Sequence, residues 1–289
     1  MLNFDDVRKL PVSPGAQRIP YGPRAVEFGD LRLPGGLPKG HGRCPVAIVI
    51  HGGCWSSEYN LDHIASFADA LTQAGVATWN LEYRRIGDAD GGWPRLYRGW
   101  PGTFEDVARG ADYVRVLGPK YALDLDRVVA VGHSAGGQLA LWLAARTKLP
   151  KASPLYSSEP DKSIRLRGVV SLAGIPDLRR AFRENVCDDT ARQLLGGSPA
   201  EVPERYHDAS PIELLPLGVP QRLVHGTEDS TVPLAFSHDY AMAARRSGDD
   251  ARLIVVPHAG HFELIVPGSL AWPVVEAAVR EMLGRGAVQ

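Results

Sequence analysis

The chain has 289 residues, of which 44% are hydrophobic and 22% charged, and its 32 Lys and Arg against 33 Asp and Glu leave a net charge of −1. This balance gives no basic surface of the kind that attracts nucleic acid or an anionic membrane, so we expect neither as a partner. The composition is that of a globular protein long enough to bury a substantial core. It excludes a disordered tail, a collagen-like chain and a coiled coil.

The chain contains three cysteines, Cys44, Cys54 and Cys187. A predicted strand lies between Cys44 and Cys54 and would hold them about 33 Å apart, which is too far for a disulfide. Residues Met1–Leu10 contain no apolar stretch of the kind found in a signal peptide. We therefore expect reduced thiols and a cytoplasmic protein.

Turn-forming residues dominate positions 1–40, where one short strand is predicted over 25–33. Beyond them, short apolar runs typical of buried strands alternate with segments of helical spacing. The predicted strands cover 46–50, 76–83, 127–132, 167–173, 221–225 and 251–256. The predicted helices cover 62–74, 104–117, 136–146, 237–246 and 272–283.

Strands that alternate with helices predict parallel strands joined by crossovers, and hence an α/β fold with a doubly wound, mostly parallel sheet. Residues 174–219 separate two predicted strands and are too many for a connection without structure. We expect them to form a small, partly helical cap within a single domain of residues 1–289.

The segment Gly132-His-Ser-Ala-Gly136 follows a predicted strand and opens a predicted helix. This is the context of a nucleophile elbow, G-x-S-x-G. The turn is so tight that side chains two positions before and after the serine would collide with neighbouring backbone, which explains the glycines. The motif predicts Ser134 as a nucleophile exposed at the carboxyl edge of the sheet, where such folds bind ligands. The alternative is a chance match.

A serine hydroxyl needs a general base to become a useful nucleophile. His261, in Pro257-His-Ala-Gly-His-Phe262, follows the last predicted strand and is the favoured candidate. His258 is its local rival, and we interpret it as a structural loop residue. A metal site at this pair is disfavoured because no third ligand is evident, so we expect no metal.

The base needs an acidic partner that fixes its tautomer and stabilises the imidazolium. Asp229 follows the strand predicted over 221–225, in the segment HGTEDSTVP. The adjacent Glu228 could compete for the same role. Because neighbouring side chains in a loop point in different directions, only one of the two is expected to meet the histidine, and we favour Asp229.

The segment His51-Gly-Gly-Cys-Trp55 follows the first buried strand. Glycines at such a position let backbone N–H groups face the oxyanion that develops on an attacked carbonyl. We predict an oxyanion hole made of the amides of Gly53, Cys54 and Ala135, with Cys54 acting through its backbone. The alternative is a plain Gly-Gly turn.

Together, HGGCW, GHSAGG, HGTEDSTVP and HAGHF resemble the α/β-hydrolase family over about residues 45–285. The order Ser134, Asp229, His261 is the nucleophile–acid–base order of that fold. HGG followed by an aromatic residue is similar to the branch that contains small carboxylesterases, feruloyl-type esterases and arylformamidases. That branch often has Tyr in HGGYW, where this chain has Cys54. The resemblance implies a serine hydrolase that works through an acyl-enzyme without a metal or organic cofactor.

Four aromatic residues are expected beside the active edge: Trp55, Trp93, Trp100 and Phe262. They suggest an apolar substrate pocket, although large rings also often cover a core. The leading hypothesis is a carboxylesterase that cleaves a small-molecule ester. The alternatives are an arylformamidase that cleaves the amide of N-formylkynurenine, and a non-catalytic ligand-binding protein on a hydrolase scaffold. The sequence leaves the oligomeric state open.

Overall fold

The computed structural model describes residues 1–35, 42–88 and 99–284. Within them, eight strands form one sheet in the order β1-β2-β4-β3-β5-β6-β7-β8. Strands β3 to β8 are parallel to one another, whereas β2 pairs antiparallel with both of its neighbours, β1 and β4. The strands are β1 (Gln17–Pro20), β2 (Phe28–Arg32), β3 (Cys44–Ile50), β4 (Ala77–Leu81), β5 (Leu123–His133), β6 (Gly168–Leu172), β7 (Gln221–Gly226) and β8 (Ala251–Val256). The predicted mostly parallel α/β fold is confirmed.

Helices cover both faces of this sheet. They are α1 (Phe4–Arg8), α2 (Ala65–Gln73), α3 (Gly102–Asp112), α4 (Val114–Tyr121), α5 (Ala135–Ala145), α6 (Leu178–Arg183), α7 (Thr190–Leu195), α8 (Pro203–Ala209), α9 (Ala235–Arg246) and α10 (Trp272–Met282). The helix predicted over 104–117 is two helices, because the chain turns at Tyr113. The helix predicted over 62–74 begins with a 3₁₀ turn, Leu61–Ile64.

Two elements near the start of the chain were not predicted, β1 and α1. Helix α1 is short, but its first turn is capped reciprocally: the Asn3 side chain accepts from the Asp6 amide, and the Asp6 side chain accepts from the Asn3 amide. Such a capping box satisfies two backbone donors at the start of a helix. It allows five residues to remain helical among breakers.

The core lies in two layers, one on each face of the sheet. Alternate residues of β3 point to opposite faces, so Val46 and Ile48 pack with α3, α4, α5 and α9, whereas Ala47 and Val49 pack with α1, α2 and α10. Every residue of β3 is buried as a result, which is the condition that its unbroken apolar run predicts. No helix in the described ranges has both the length and the apolar content needed to cross a bilayer.

The predicted cap segment, residues 174–219, contains α6, α7, α8 and a 3₁₀ turn over Pro211–Leu214. Its buried side chains, among them Leu178, Leu194 and Tyr206, belong to the same hydrophobic cluster as α3 and α5. The segment therefore packs onto the core layer of one sheet face.

Cys54 and Cys187 form a disulfide across 133 positions of the chain. The expectation of reduced thiols is wrong for this pair, whereas Cys44 is buried and takes no part in the bridge. The distance between Cys44 and Cys54 excludes a bridge only between those two residues, and it carries no information on the path by which residues 174–219 return Cys187 to the HGG loop. The bridge joins the predicted oxyanion loop to the loop between α6 and α7.

Candidate active site

Ser134 occupies the sharp turn between β5 and α5. Its backbone angles, φ 56° and ψ −120°, lie in a region that non-glycine residues rarely adopt. A Cβ at Gly132 would stand 2.0 Å from the Gly136 carbonyl oxygen, and one at Gly136 would stand 2.1 Å from the Ile50 oxygen. Both flanking glycines are therefore required by sterics, as the motif predicted.

His261 and Asp229 meet at the carboxyl edge of the sheet. The Nδ1 atom of His261 lies 2.7 Å from Oδ2 of Asp229, and both side chains are almost completely shielded from solvent. The loop of His261 also reaches the elbow, since its ring centroid is 4.4 Å from that of His133, the residue that precedes Ser134. The three predicted catalytic residues are thus carried by loops that converge at one edge.

The two local rivals are engaged elsewhere. His258 Nδ1 lies 3.1 Å from Glu228 Oε1 in an exposed pair. His258 also has a positive φ of 60°, as expected of a residue that shapes a loop. Of the two neighbouring carboxylates, it is therefore Asp229 that contacts His261. Among the described residues, no three His, Cys, Asp or Glu side chains are grouped so that they could hold a metal ion.

The Asp229 carboxylate is held by several donors. Its Oδ1 accepts from the amides of Thr231 and Val232, at 2.9 and 2.8 Å. Its Oδ2 also lies 3.3 Å from Nε2 of His225, a residue that was not predicted to belong to the site. Burial alone would raise the pKa of Asp229, but hydrogen bonds from His225 and His261 outweigh burial and hold this pKa well below its ordinary value. The carboxylate stays ionised and oriented towards His261.

The HGG loop lies directly against the elbow. A Cβ at Gly52 would stand 2.7 Å from the His133 carbonyl oxygen and 3.1 Å from Cβ of Ser134. Gly53 and Cys54 follow with positive φ angles of 100° and 50°. Among the described residues, the amides of Gly53 and Cys54 have no backbone acceptor.

Ala135 is the first residue of α5, so its N–H belongs to the group that a helix leaves without an intrahelical partner. The three predicted oxyanion donors are therefore backbone amides on two adjacent segments, the HGG loop and the start of α5. Such donors are available to a ligand at the elbow.

A buried carboxylate contacts the first residue of the HGG loop. Glu82 Oε1 lies 3.0 Å from Nε2 of His51, and its Oε2 accepts from the Leu61 amide. Burial would raise the pKa of Glu82, but its neighbours His51 and Arg85 outweigh burial and lower it. Tyr83 adds a hydrogen bond from its hydroxyl to the His51 carbonyl, at 2.8 Å. Glu82 was not predicted as a site residue, although it directly follows β4, the strand that pairs with β3, and therefore lies beside the HGG loop.

The prediction that Trp55 lines an apolar substrate pocket is wrong. Its side chain is completely buried in the core, and its indole N–H donates to Oε1 of Gln138 at 3.1 Å. A side chain that follows the end of a strand can point into the core that covers the sheet face, and it then does not face the active edge. Trp93, predicted for the same pocket, lies outside the described residues.

Trp100 and Phe262 lie in different surroundings. Trp100 packs edge-on against Phe104 and lines a cavity of about 690 Å³ that does not include Ser134, Asp229 or His261. Phe262 packs edge-on against the ring of His261, at 5.3 Å between centroids. The described aromatic residues of the predicted set therefore do not form one shared pocket.

The sheet order, the elbow and the converging loops are those of an α/β hydrolase. A truncated carbohydrate esterase from gut microbiota has the same fold, with a TM-score of 0.76 at 21% identity over 92% of this chain and 95% of that one. The chain belongs to the BD-FAE family, whose model matches residues 32–243.

Curated relatives carry esterase and formamidase names. The chain is similar to esterase LipQ of Mycobacterium tuberculosis, with 27% identity over 95% of this chain, and it spans 65% of the length of that relative. It is also similar to kynurenine formamidase avaC of Aspergillus versicolor, with 29% identity over 69% of this chain and 75% of the relative. The chain is thus a member of a hydrolase family that includes esterases.

Proposed function

We propose that this chain is a serine carboxylesterase that cleaves small carboxylic esters, with Ser134 as nucleophile, His261 as general base and Asp229 as its acidic partner. The observation that carries the proposal is the 2.7 Å contact between His261 and Asp229, beside a serine on a strained elbow. Similarity to LipQ supports the ester class.

In this mechanism the Oγ atom of Ser134 attacks the ester carbonyl while Nε2 of His261 takes the hydroxyl proton. Asp229 accepts a hydrogen bond from Nδ1–H of His261, which keeps Nε2 free to accept the proton and stabilises the imidazolium that forms. His261 then gives the proton to the departing alcohol. A water molecule, activated by the same histidine, hydrolyses the acyl-enzyme and restores Ser134.

The negative charge on the tetrahedral oxygen is stabilised by the amides of Gly53, Cys54 and Ala135. Preorganised donors of this kind are effective because they need no rearrangement when the charge appears, and losing one typically raises the barrier by about 3 kcal/mol. The mechanism uses no metal or organic cofactor.

Steady-state hydrolysis of p-nitrophenyl acetate and butyrate tests the proposal. The wild-type protein is expected to turn over both esters, and Ser134→Ala is expected to lower kcat by about a millionfold while the protein remains folded. Folded Ser134→Ala protein with wild-type turnover would overturn the assignment of Ser134.

A second candidate is an arylformamidase, which the similarity to a kynurenine formamidase favours. The same catalytic groups would attack the formyl carbonyl of N-formylkynurenine, and His261 would protonate the departing aryl amine. Comparison of kcat/KM for this formamide and for acetyl esters separates the two. A preference for the esters removes the formamidase, and ligand binding without turnover of either would indicate a non-catalytic binding protein.

The disulfide bears on the compartment in which the protein works. Disulfides persist mainly in oxidising compartments and are rare in the cytoplasm. The Cys54–Cys187 bridge therefore favours an oxidising compartment over the cytoplasmic location that the sequence led us to expect.

A further inference from the structure

Three histidines stand in a row behind the proposed catalytic centre. Nε2 of His63 lies 2.9 Å from Nδ1 of His133, and Nε2 of His133 lies 3.0 Å from the backbone carbonyl oxygen of His261. His63 is 2% exposed and His133 is fully buried. The row thus runs from the 3₁₀ turn after β3, through the elbow, to the loop of the proposed base.

The chemistry of the last acceptor determines the direction of every hydrogen bond in the row. A carbonyl oxygen only accepts, so Nε2 of His133 must carry the hydrogen. Burial and the neighbouring His261 and His63 hold the pKa of His133 well below its ordinary value, so this ring is neutral and has a single N–H. Its Nδ1 is therefore an acceptor, and the hydrogen between the two rings belongs to Nε2 of His63.

The surroundings of His63, the histidine farthest from His261 in the row, are consistent with this direction of the hydrogen bonds. Burial, together with His51 and His261, holds the pKa of His63 well below its ordinary value, so a hydrogen on Nε2 leaves Nδ1 bare. Among the described residues, Nδ1 of His63 is buried without a hydrogen-bond partner. The ring of Phe4 stacks against the face of the His63 ring, at 5.3 Å between centroids. A bare buried nitrogen costs free energy that a simple packing role for His63 would not require.

His133 connects the two halves of the proposed catalytic pair. It is bonded covalently to Ser134 and by hydrogen bond to the backbone carbonyl of His261, so it links the residue that carries the hydroxyl to the residue that carries the imidazole. His63 contacts the opposite edge of the His133 ring. The ring of Phe262 closes the side of the row, at 6.0 Å from that of His133.

We propose that His63 and His133 form a directional hydrogen-bond chain, His63 Nε2–H to His133 Nδ1 and His133 Nε2–H to the His261 carbonyl, and that both are positioning residues for the catalytic base. The positioning role rests on the proposed function of His261, whereas the direction of the two hydrogen bonds does not.

The direction is tested by long-range nitrogen–proton NMR correlation on histidine-labelled wild-type protein at about pH 7. We expect His63 and His133 both to be neutral with the hydrogen on Nε2. A hydrogen on Nδ1 of His133, or a cationic ring at either position, would overturn the proposal whether or not any variant folds.

The positioning role is tested with two variants of the same chemistry but different reach, His133→Gln and His133→Asn. The glutamine amide nitrogen reaches about as far as Nε2 and can still donate to the His261 carbonyl, whereas the asparagine amide reaches only the position of Nδ1. We expect the glutamine variant to keep kcat within about threefold of wild type. The asparagine variant is expected to lose kcat about 10- to 100-fold with little change in KM, the pattern of a misplaced catalytic group.

Equal kcat for the two folded variants would remove the positioning role. Failure of the proposed function is a separate outcome, because it appears as turnover by Ser134→Ala and leaves the tautomers of His63 and His133 unchanged. Conversely, a hydrogen on Nδ1 of His133 would overturn the proposed hydrogen-bond direction. The assignment of Ser134 as nucleophile would be unaffected, because Ser134→Ala would still lose turnover.

Discussion

His261 Nδ1 and Asp229 Oδ2 lie 2.7 Å apart although 32 positions separate the two residues in the chain. The contact forms because β7 and β8 are adjacent parallel strands, so the loops that follow them leave the same edge of the sheet. The amides of Thr231 and Val232 occupy the other carboxylate oxygen. Oδ2 is thereby oriented for the imidazole.

Asp229→Asn tests this relationship. An amide can present its N–H to the imidazole and favour the wrong tautomer, so we expect kcat for ester hydrolysis to fall by about ten-thousandfold at unchanged fold. Glu228→Gln is the matched control, because Glu228 contacts His258 and not His261, and it is expected to retain activity. The assignment would be contradicted if the control lost activity and Asp229→Asn kept it.

The disulfide is expected to contribute both to stability and to turnover. Cys187→Ser should lower the free energy of unfolding by about 2–5 kcal/mol, because the bridge closes a long loop. It should also lower kcat, since Cys54 carries one of the proposed oxyanion amides. Urea unfolding and ester kinetics measure the two effects.

Two comparisons control that experiment. Wild-type protein in a thiol reductant should behave as Cys187→Ser does, and Cys44→Ala should remain sensitive to the reductant because Cys44 is outside the bridge. Stability and kcat that do not change in Cys187→Ser would refute the structural role of the bridge.

Gly136→Ala tests the sterics of the elbow. The added Cβ would stand 2.1 Å from the Ile50 carbonyl oxygen, a backbone atom that cannot move independently. We expect a loss of unfolding free energy of at least about 3 kcal/mol, with loss of activity in whatever protein folds. Gly35→Ala is the control, because a Cβ there meets no atom of the described residues within 4 Å, and a normally stable Gly136→Ala would contradict the close approach.

Arg84 holds a buried carboxylate. Its Nη2 lies 2.6 Å from Oδ1 of Asp106, which is completely shielded from solvent. Burial raises the pKa of Asp106 to about 6, against the opposing effect of Arg84. Arg84→Ala removes the guanidinium beside this buried carboxyl and keeps the hydrogen bond from the backbone N–H of residue 84. We expect the loss of the cation to cost about 3–5 kcal/mol of unfolding free energy near neutral pH.

The sign of the pH dependence follows from the raised pKa. The contribution of Asp106 to stability is fully present below the unfolded pKa of about 4 and is lost as the pH rises through about 6. Loss of Arg84 raises that pKa further, so Arg84→Ala should be destabilised more at about pH 7 than at about pH 4.5. The double variant Arg84→Ala/Asp106→Asn should lose this dependence, and a single variant with no dependence on pH would contradict the interpretation.

Much of the fold and the candidate site could be predicted because both are carried by local pattern. The run that became β8 was predicted over the same residues that the structure assigns, and the GHSAG turn imposes its own backbone conformation on Ser134. The contact between Asp229 and His261 followed from the convergence of parallel strands at one edge, without any detail of side-chain packing.

The features that escaped prediction depend on where distant segments return in space. Cys187 reaches Cys54 only through the path of residues 174–219, which no periodicity specifies. Trp55 turns into the core because Gln138 on α5 offers an acceptor for its indole N–H. His225 was assigned only to a strand, yet the loop that follows folds back and brings Asp229 to its ring.

Labelling with a fluorophosphonate, followed by peptide mass spectrometry, tests the central claim most directly, because the reagent reacts covalently with a serine activated by a neighbouring base. The account predicts one adduct, on the peptide that carries Ser134, with labelling abolished in folded Ser134→Ala and strongly reduced in His261→Ala. Undiminished labelling of Ser134→Ala, or an adduct on another serine, would contradict it.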